Sequence, residues 1–108
     1  MTTKVAARIP LPYGEIERFC QKWNVTRFEV FGSVLRDDFD PDRSDVDVLV
    51  TFAPGKTPGL AYFGLEDELA GILRRPVHLS TRRSVEENEN WIRRESILRE
   101  TQTVYERR

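Results

Sequence analysis

Residues 45–52 constrain the fold most, because they alternate without a break: Val46, Val48, Val50 and Phe52 fall on one side, and Asp45, Asp47, Leu49 and Thr51 on the other. A two-residue period is that of a β-strand, and a strand with one apolar side must pair with neighbours and be covered. The partners are visible nearby. From Thr26 to Phe31, Phe28 and Val30 alternate with Arg27 and Glu29 until Gly32-Ser33, and Val77-His78-Leu79 makes a third short strand. The cover is helical. Ile16, Phe19, Cys20 and Trp23 lie on one stripe of a helix that can start after Pro12, and Leu65, Leu69, Ile72 and Leu73 repeat that spacing before Arg74-Arg75-Pro76 ends it. Pro54, Gly55, Pro58 and Gly59 mark the loop between them. Ser84, with Glu87 three residues on, has capping-box spacing and opens a third helix holding Val85, Trp91, Ile92 and Leu98. The order predicts an α/β (α+β) domain, a small mixed β-sheet covered by helices.

At 108 residues the chain has room for one core, so residues 1–108 are expected to form a single domain. Its 17 basic and 18 acidic side chains leave a formal net charge of -1, which excludes a general polyanion binder; no direct nucleic-acid contact is expected. No apolar run approaches the ~20 residues of a membrane span. The N-terminus, with Lys4, Arg8 and Pro10, lacks the apolar centre of a signal peptide, so a cytoplasmic location is expected. Cys20 stands alone, which excludes a disulfide framework or zinc cluster and predicts a buried, reduced thiol.

Six of the 18 acidic residues lie between Asp37 and Asp47. Asp37, Asp38, Asp40 and Asp42, grouped around Pro41, suit a solvated turn. Asp45 and Asp47 differ, because a strand puts both side chains on one face about 6–7 Å apart while Val46 anchors the other. Two carboxylates so close repel, and are tolerated at an exposed sheet edge or strand end or where they share a divalent cation. The strand before them ends in Gly32-Ser33, where glycine lets the backbone approach an anion and serine adds a hydroxyl and an N–H at the start of a helical turn. Carboxylates for a metal and a turn for phosphate are the two halves of a nucleoside triphosphate site, and hard oxygen donors suit Mg²⁺.

Phe31-Gly32-Ser33-Val34-Leu35-Arg36, followed by Ser44-Asp45-Val46-Asp47-Val48-Leu49-Val50, resembles the signature of the minimal nucleotidyltransferases, small relatives of the DNA polymerase β superfamily. The likeness runs over nearly the whole chain, and the Pro54–Leu60 loop with the helix after it is similar to MntA-type antitoxins of HEPN/MNT toxin–antitoxin systems. The resemblance implies a polymerase β-like palm in which Gly32 and Ser33 grip the β- and γ-phosphates of ATP and Asp45 and Asp47 hold one or two Mg²⁺ ions. Arg36 and Ser44 brace that site, with two roles open to Arg36: phosphate contact, or pairing with the acidic loop. The implied function is an antitoxin that transfers AMP from ATP to a tyrosine hydroxyl of a HEPN-domain ribonuclease toxin. Pyrophosphate leaves in line, and no covalent intermediate on the protein is needed.

Two departures stand out. Eleven residues separate Ser33 from Asp45, one more than the family pattern usually has, an insertion that the loop from Asp37 to Arg43 absorbs cheaply. The third carboxylate of the family is replaced: its Val-Asp-Leu strand reads Val77-His78-Leu79, which puts the chain's one histidine at a catalytic position. Imidazole is neutral and softer than oxygen, hence a poor Mg²⁺ ligand. Three roles are open to His78: general base for the attacking hydroxyl, a nitrogen ligand favouring Mn²⁺, or a mark of a degraded site. The last leads to a second reading, a non-catalytic antitoxin that covers its toxin, with Tyr62, Phe63, Trp91 and Tyr105 as candidate anchors. Transfer to a small substrate ranks third.

Overall fold

The computed structural model describes residues 2–37, 39–40 and 42–107; Asp38 and Pro41 of the acidic turn lie outside the described residues. Helix α1 (Tyr13–Trp23) begins directly after Pro12 and buries Ile16, Phe19 and Cys20. Asn24 ends it in a left-handed conformation (φ 59°), from which its N–H donates to the Cys20 carbonyl. Strand β1 (Val25–Phe31) runs into a 3₁₀ turn at Gly32–Leu35, and strand β2 (Val46–Phe52) follows the acidic loop. A second 3₁₀ turn at Gly59–Ala61 leads into helix α2 (Tyr62–Leu73), which crosses over to strand β3 (Val77–Thr81). Two short helices, α3 (Arg82–Glu86) and α4 (Trp91–Arg99), precede strand β4 (Gln102–Glu106).

The four strands form one mixed sheet in the order β3-β2-β1-β4, with β1 antiparallel to both β2 and β4, and β2 parallel to β3. The α+β architecture follows from the patterning. Phe28, Val30, Val46, Val48, Val50, Val77 and Leu79 pack in one core with Ile16, Phe19 and Cys20 of α1 and Leu65, Leu69 and Leu73 of α2. Burial pushes the Cys20 thiol up to about 12, so it stays a protonated, inert core residue. The outer edge beyond β4 is covered by the N-terminal segment, where Thr2 bridges to Tyr105 and the Thr3 N–H donates to the Val104 carbonyl at 2.7 Å. Among the described residues no helix is long and apolar enough to cross a membrane.

The C-terminal third departs from the expected single helix. Thr81, not Ser84, is the N-cap of α3: its hydroxyl accepts from the Ser84 N–H at 3.1 Å. Asn90 starts a separate helix by accepting from the Arg93 N–H at 3.1 Å. β4 is absent from the sequence-based reading, and the strand boundaries shift slightly: β1 starts at Val25, β2 at Val46, and β3 extends to Thr81. Of the four candidate anchors, Tyr105 belongs to the core and Tyr62 is half-buried, making edge-to-face contacts with Phe52 and Phe63. Phe63 and Trp91 are exposed.

Candidate active site

Asp47 is the second residue of β2 and is paired on both sides, with Phe31 of β1 and with His78 of β3. Directly paired residues share a sheet face, so Phe31, Asp47 and His78 form a row on the face away from α1 and α2. His78 Nδ1 lies 3.7 Å from Asp47 Oδ1. Burial raises the Asp47 carboxyl above its ordinary value; the His78 charge opposes that, Asp45 adds to it, and Arg36 and Arg93 pull it back.

Gly32 is fitted to this carboxylate. Its φ of +76° lies in the left-handed region, and a Cβ placed on it would stand 2.5 Å from Asp47 Oδ2. The bare Cα is what allows Asp47 to lean against the turn. The turn closes behind it, with the Arg36 N–H donating to the Ser33 carbonyl at 2.9 Å.

These residues floor an open cleft of about 640 Å³. Phe31, Gly32, Asp47, His78 and Ser80 make its base, while Val85 of α3, Asn88 and one side of α4 make the facing wall. Arg36 pairs with Glu100 at 3.5 Å, both of them lining the cleft. Two residues further along β2 from Asp47, the same face is closed. Leu49 is fully buried, and so is its neighbour Glu29, whose two carboxylate oxygens each accept from Arg82 Nη1 at 2.8 Å. Arg82 thereby pins the start of α3 to the sheet.

Of the residues expected from sequence, Gly32, Arg36, Asp47 and His78 meet at the cleft. Asp45 is exposed just before β2, outside the residues that line the cleft, though its charge reaches Asp47. Ser33 and Ser44 do not line it either. Ser44 braces the acidic loop: its hydroxyl accepts from the Asp40 N–H at 3.0 Å and its own N–H donates to the Asp40 carbonyl at 2.8 Å. Glu29, Arg82, Asn88 and Arg93 were not legible, since a charged residue on a strand or helix reads as solvated until its cover is known. Among the described residues no group of three or more His, Cys, Asp or Glu converges as a metal cage. The available donors are the Asp45 and Asp47 carboxylates, one of them held at a raised pKa by burial. That set fits a divalent cation that takes its other ligands from water and phosphate.

A family model described as a nucleotidyltransferase domain matches residues 16–104. Among solved structures, a minimal nucleotidyltransferase is 32% identical over 83% of this chain and 86% of its own, with a TM-score of 0.62. A toxin–antitoxin crystal structure with AMP-PNP is 19% identical, covering 91% of this chain and 76% of its own, with a TM-score of 0.67. A MntA–HpeT toxin–antitoxin crystal structure carrying two Asp-to-Glu substitutions is 17% identical over 91% and 75%, with a TM-score of 0.66. These last two share the fold. A search among curated proteins found no match.

Proposed function

The chain belongs to the nucleotidyltransferase domain family, and on that footing we propose that it is a cytoplasmic antitoxin that transfers AMP from ATP to a tyrosine hydroxyl of a HEPN-domain ribonuclease toxin. The observation that carries the reading is the fit of Asp47 against the bare Cα of Gly32, which joins a carboxylate to an anion-receptive turn at the floor of one cleft. The fold shared with a toxin–antitoxin structure holding AMP-PNP supports the nucleotide and the kind of partner.

Each residue then has a task. The Gly32-Ser33 turn offers N–H groups and a hydroxyl to the β- and γ-phosphates, and Arg36 adds a cation beside them. Asp45 and Asp47 would hold Mg²⁺, with Mn²⁺ the alternative given a nitrogen at His78, and such a cation would supply neutralisation of triphosphate charge. Ser44 keeps the acidic loop folded and so holds Asp45 at the start of β2. His78, beside Asp47 on the open floor, accepts the proton of the acceptor hydroxyl. The tyrosine oxygen bonds to the α-phosphorus as the bond to the bridging oxygen breaks, and pyrophosphate carries that electron pair away.

Incubation with the toxin, Mg²⁺ and labelled ATP should label the toxin, and Asp45→Asn with Asp47→Asn should abolish the label. Unchanged labelling would sink the assignment. A second reading follows from the resemblance, in which the Val77-His78-Leu79 strand carries a histidine where a third carboxylate is expected. A binding-only antitoxin would neutralise the toxin even as the double Asp variant, with no mass increase of one AMP on the toxin.

A further inference from the structure

Helix α4 is built unlike α1 and α2. Where α1 and α2 bury apolar stripes in the core, no residue of α4 is buried. Its ordered side is nevertheless clear: Ile92, Arg93, Ser96, Ile97 and Glu100 recur at helical spacing, form one stripe, and all line the cleft. A stripe of this width normally covers a core. Here it faces Phe31, Gly32, Asp47 and His78 across the open space of the cleft.

The charges on that stripe are not equivalent. Glu100 is paired with Arg36 at 3.5 Å. Neighbouring arginines are also engaged: Arg94 donates to the Asn88 carbonyl, Arg83 pairs with Glu87, and Arg82 holds Glu29. Among the described residues the Arg93 guanidinium has no ion-pair partner, although it sits in the wall of a cleft floored by a carboxylate. Its backbone is fixed, because the Arg93 N–H donates to the Asn90 cap. Its charge is felt at Asp47, which sets it within electrostatic reach of the floor.

We propose that Arg93 is a phosphate-contacting residue: from α4 it supplies a guanidinium to the triphosphate held between that helix and the Gly32 turn. The inference rests on the nucleotidyltransferase reading and adds to it the residue and the helix that hold the nucleotide from the wall opposite the turn. A planar guanidinium can meet two phosphate oxygens at once, and a cation unpaired by protein is free to do so. A cation there would repel a lone divalent metal but attract the negatively charged complex of metal and triphosphate. The contact therefore favours ATP over AMP.

Calorimetric titration with a non-hydrolysable ATP analogue and with AMP, both with Mg²⁺, tests this. Arg93→Gln, which keeps helix propensity, should weaken the ATP analogue by about 10- to 100-fold and AMP much less, the loss expected for a charged hydrogen bond. Arg93→Lys should recover part of that loss. Arg99→Gln removes the same charge away from the cleft-lining stripe and should bind as wild type. Thermal unfolding of the unliganded Arg93 variants should match wild type, because no ion pair is lost. Wild-type affinity in Arg93→Gln, an equal loss in Arg99→Gln, or an equal loss for AMP would each overturn the proposal while leaving the nucleotidyltransferase reading intact. Absence of binding by the wild-type protein would refute that reading and this inference with it.

Discussion

Replacing Gly32 with alanine tests whether the site is built around a missing side chain, and the protein contains its own control. Gly32 and Gly55 have nearly the same backbone, with φ of +76° and +73°. A Cβ on Gly55 would meet nothing within 4 Å, whereas one on Gly32 would stand 2.5 Å from Asp47 Oδ2 and 3.4 Å from Asp47 Cγ. Gly55→Ala therefore reads the left-handed strain alone, about 1–2 kcal/mol. Gly32→Ala adds an overpacking cost of about 1–3 kcal/mol, because the oxygen is roughly 1 Å too close and must swing away. The sum is about 2–5 kcal/mol, which for a domain of this size lowers Tm by about 4–8 °C per kcal/mol.

A double-mutant cycle isolates the clash. Asp47→Ala removes the two nearest atoms and leaves Asp47 Cβ, at 3.7 Å, as the nearest, an ordinary contact. In that background Gly32→Ala should cost no more than Gly55→Ala, giving a coupling of about 1–3 kcal/mol by urea unfolding. Additive effects of Gly32→Ala and Asp47→Ala, or equal losses for the two glycine variants, would refute the idea that Asp47 leans on this turn.

Asp47 also carries a pH signature. Burial lifts its carboxyl above the ordinary value, so the folded state holds the proton more tightly than the unfolded state; the stability from this group is complete below the ordinary carboxylate range and is lost as pH rises through the folded value. Asp47→Asn should therefore be more stable than wild type at pH 7, with the gap closing below about pH 4, and denaturant midpoints at both pH values would expose an error if Asn proves less stable at pH 7. Arg82→Met should cost about 3 kcal/mol, because Glu29 would stay buried with Arg27 Nε, at 3.6 Å, as its one remaining cation among the described residues. Adding Glu29→Leu should recover much of that loss in urea unfolding, and a double variant as unstable as the single one would contradict the argument.

Much of this arrangement was legible because it depends on period. The run from Val46 to Phe52 separates two faces whatever the partners are, and Gly32-Ser33 followed by Asp45 and Asp47 marks chemistry by residue type. What was hidden depends on cover. Alternation groups Leu49 with Asp45, Asp47 and Thr51 but cannot say that Leu49 is sealed under α3 while Asp47 is not. β4 escapes a period-two test because its pairing with β1 shifts between Phe28 and Glu29, so that Val104 and Tyr105 are both buried. The Glu87–Asn90 run reads as one polar helix surface, yet Glu87 ends α3 and Asn90 caps the start of α4.

The division of that second sheet face explains why a repelling pair can persist there. Glu29, Leu49 and Ser80 form one row across β1, β2 and β3, and Phe31, Asp47 and His78 form the next in register. Arg82 pins α3 over the first row through Glu29, and Val85 is buried beside it. The chain then leaves α3 at Glu86 and turns through Asn88 to the Asn90 cap, so α4 stands off from the second row and an open cleft remains. Asp47 is thus shielded on the Gly32 side but open above, which makes its negative charge costly without making it inaccessible. Asp45, two residues earlier, sits outside the strand in solvent, where its repulsion of Asp47 is screened. On the proposed reading, a cation arriving with a phosphate would be favoured at such a place because it would relieve a charge that His78, Arg36 and Arg93 only partly offset.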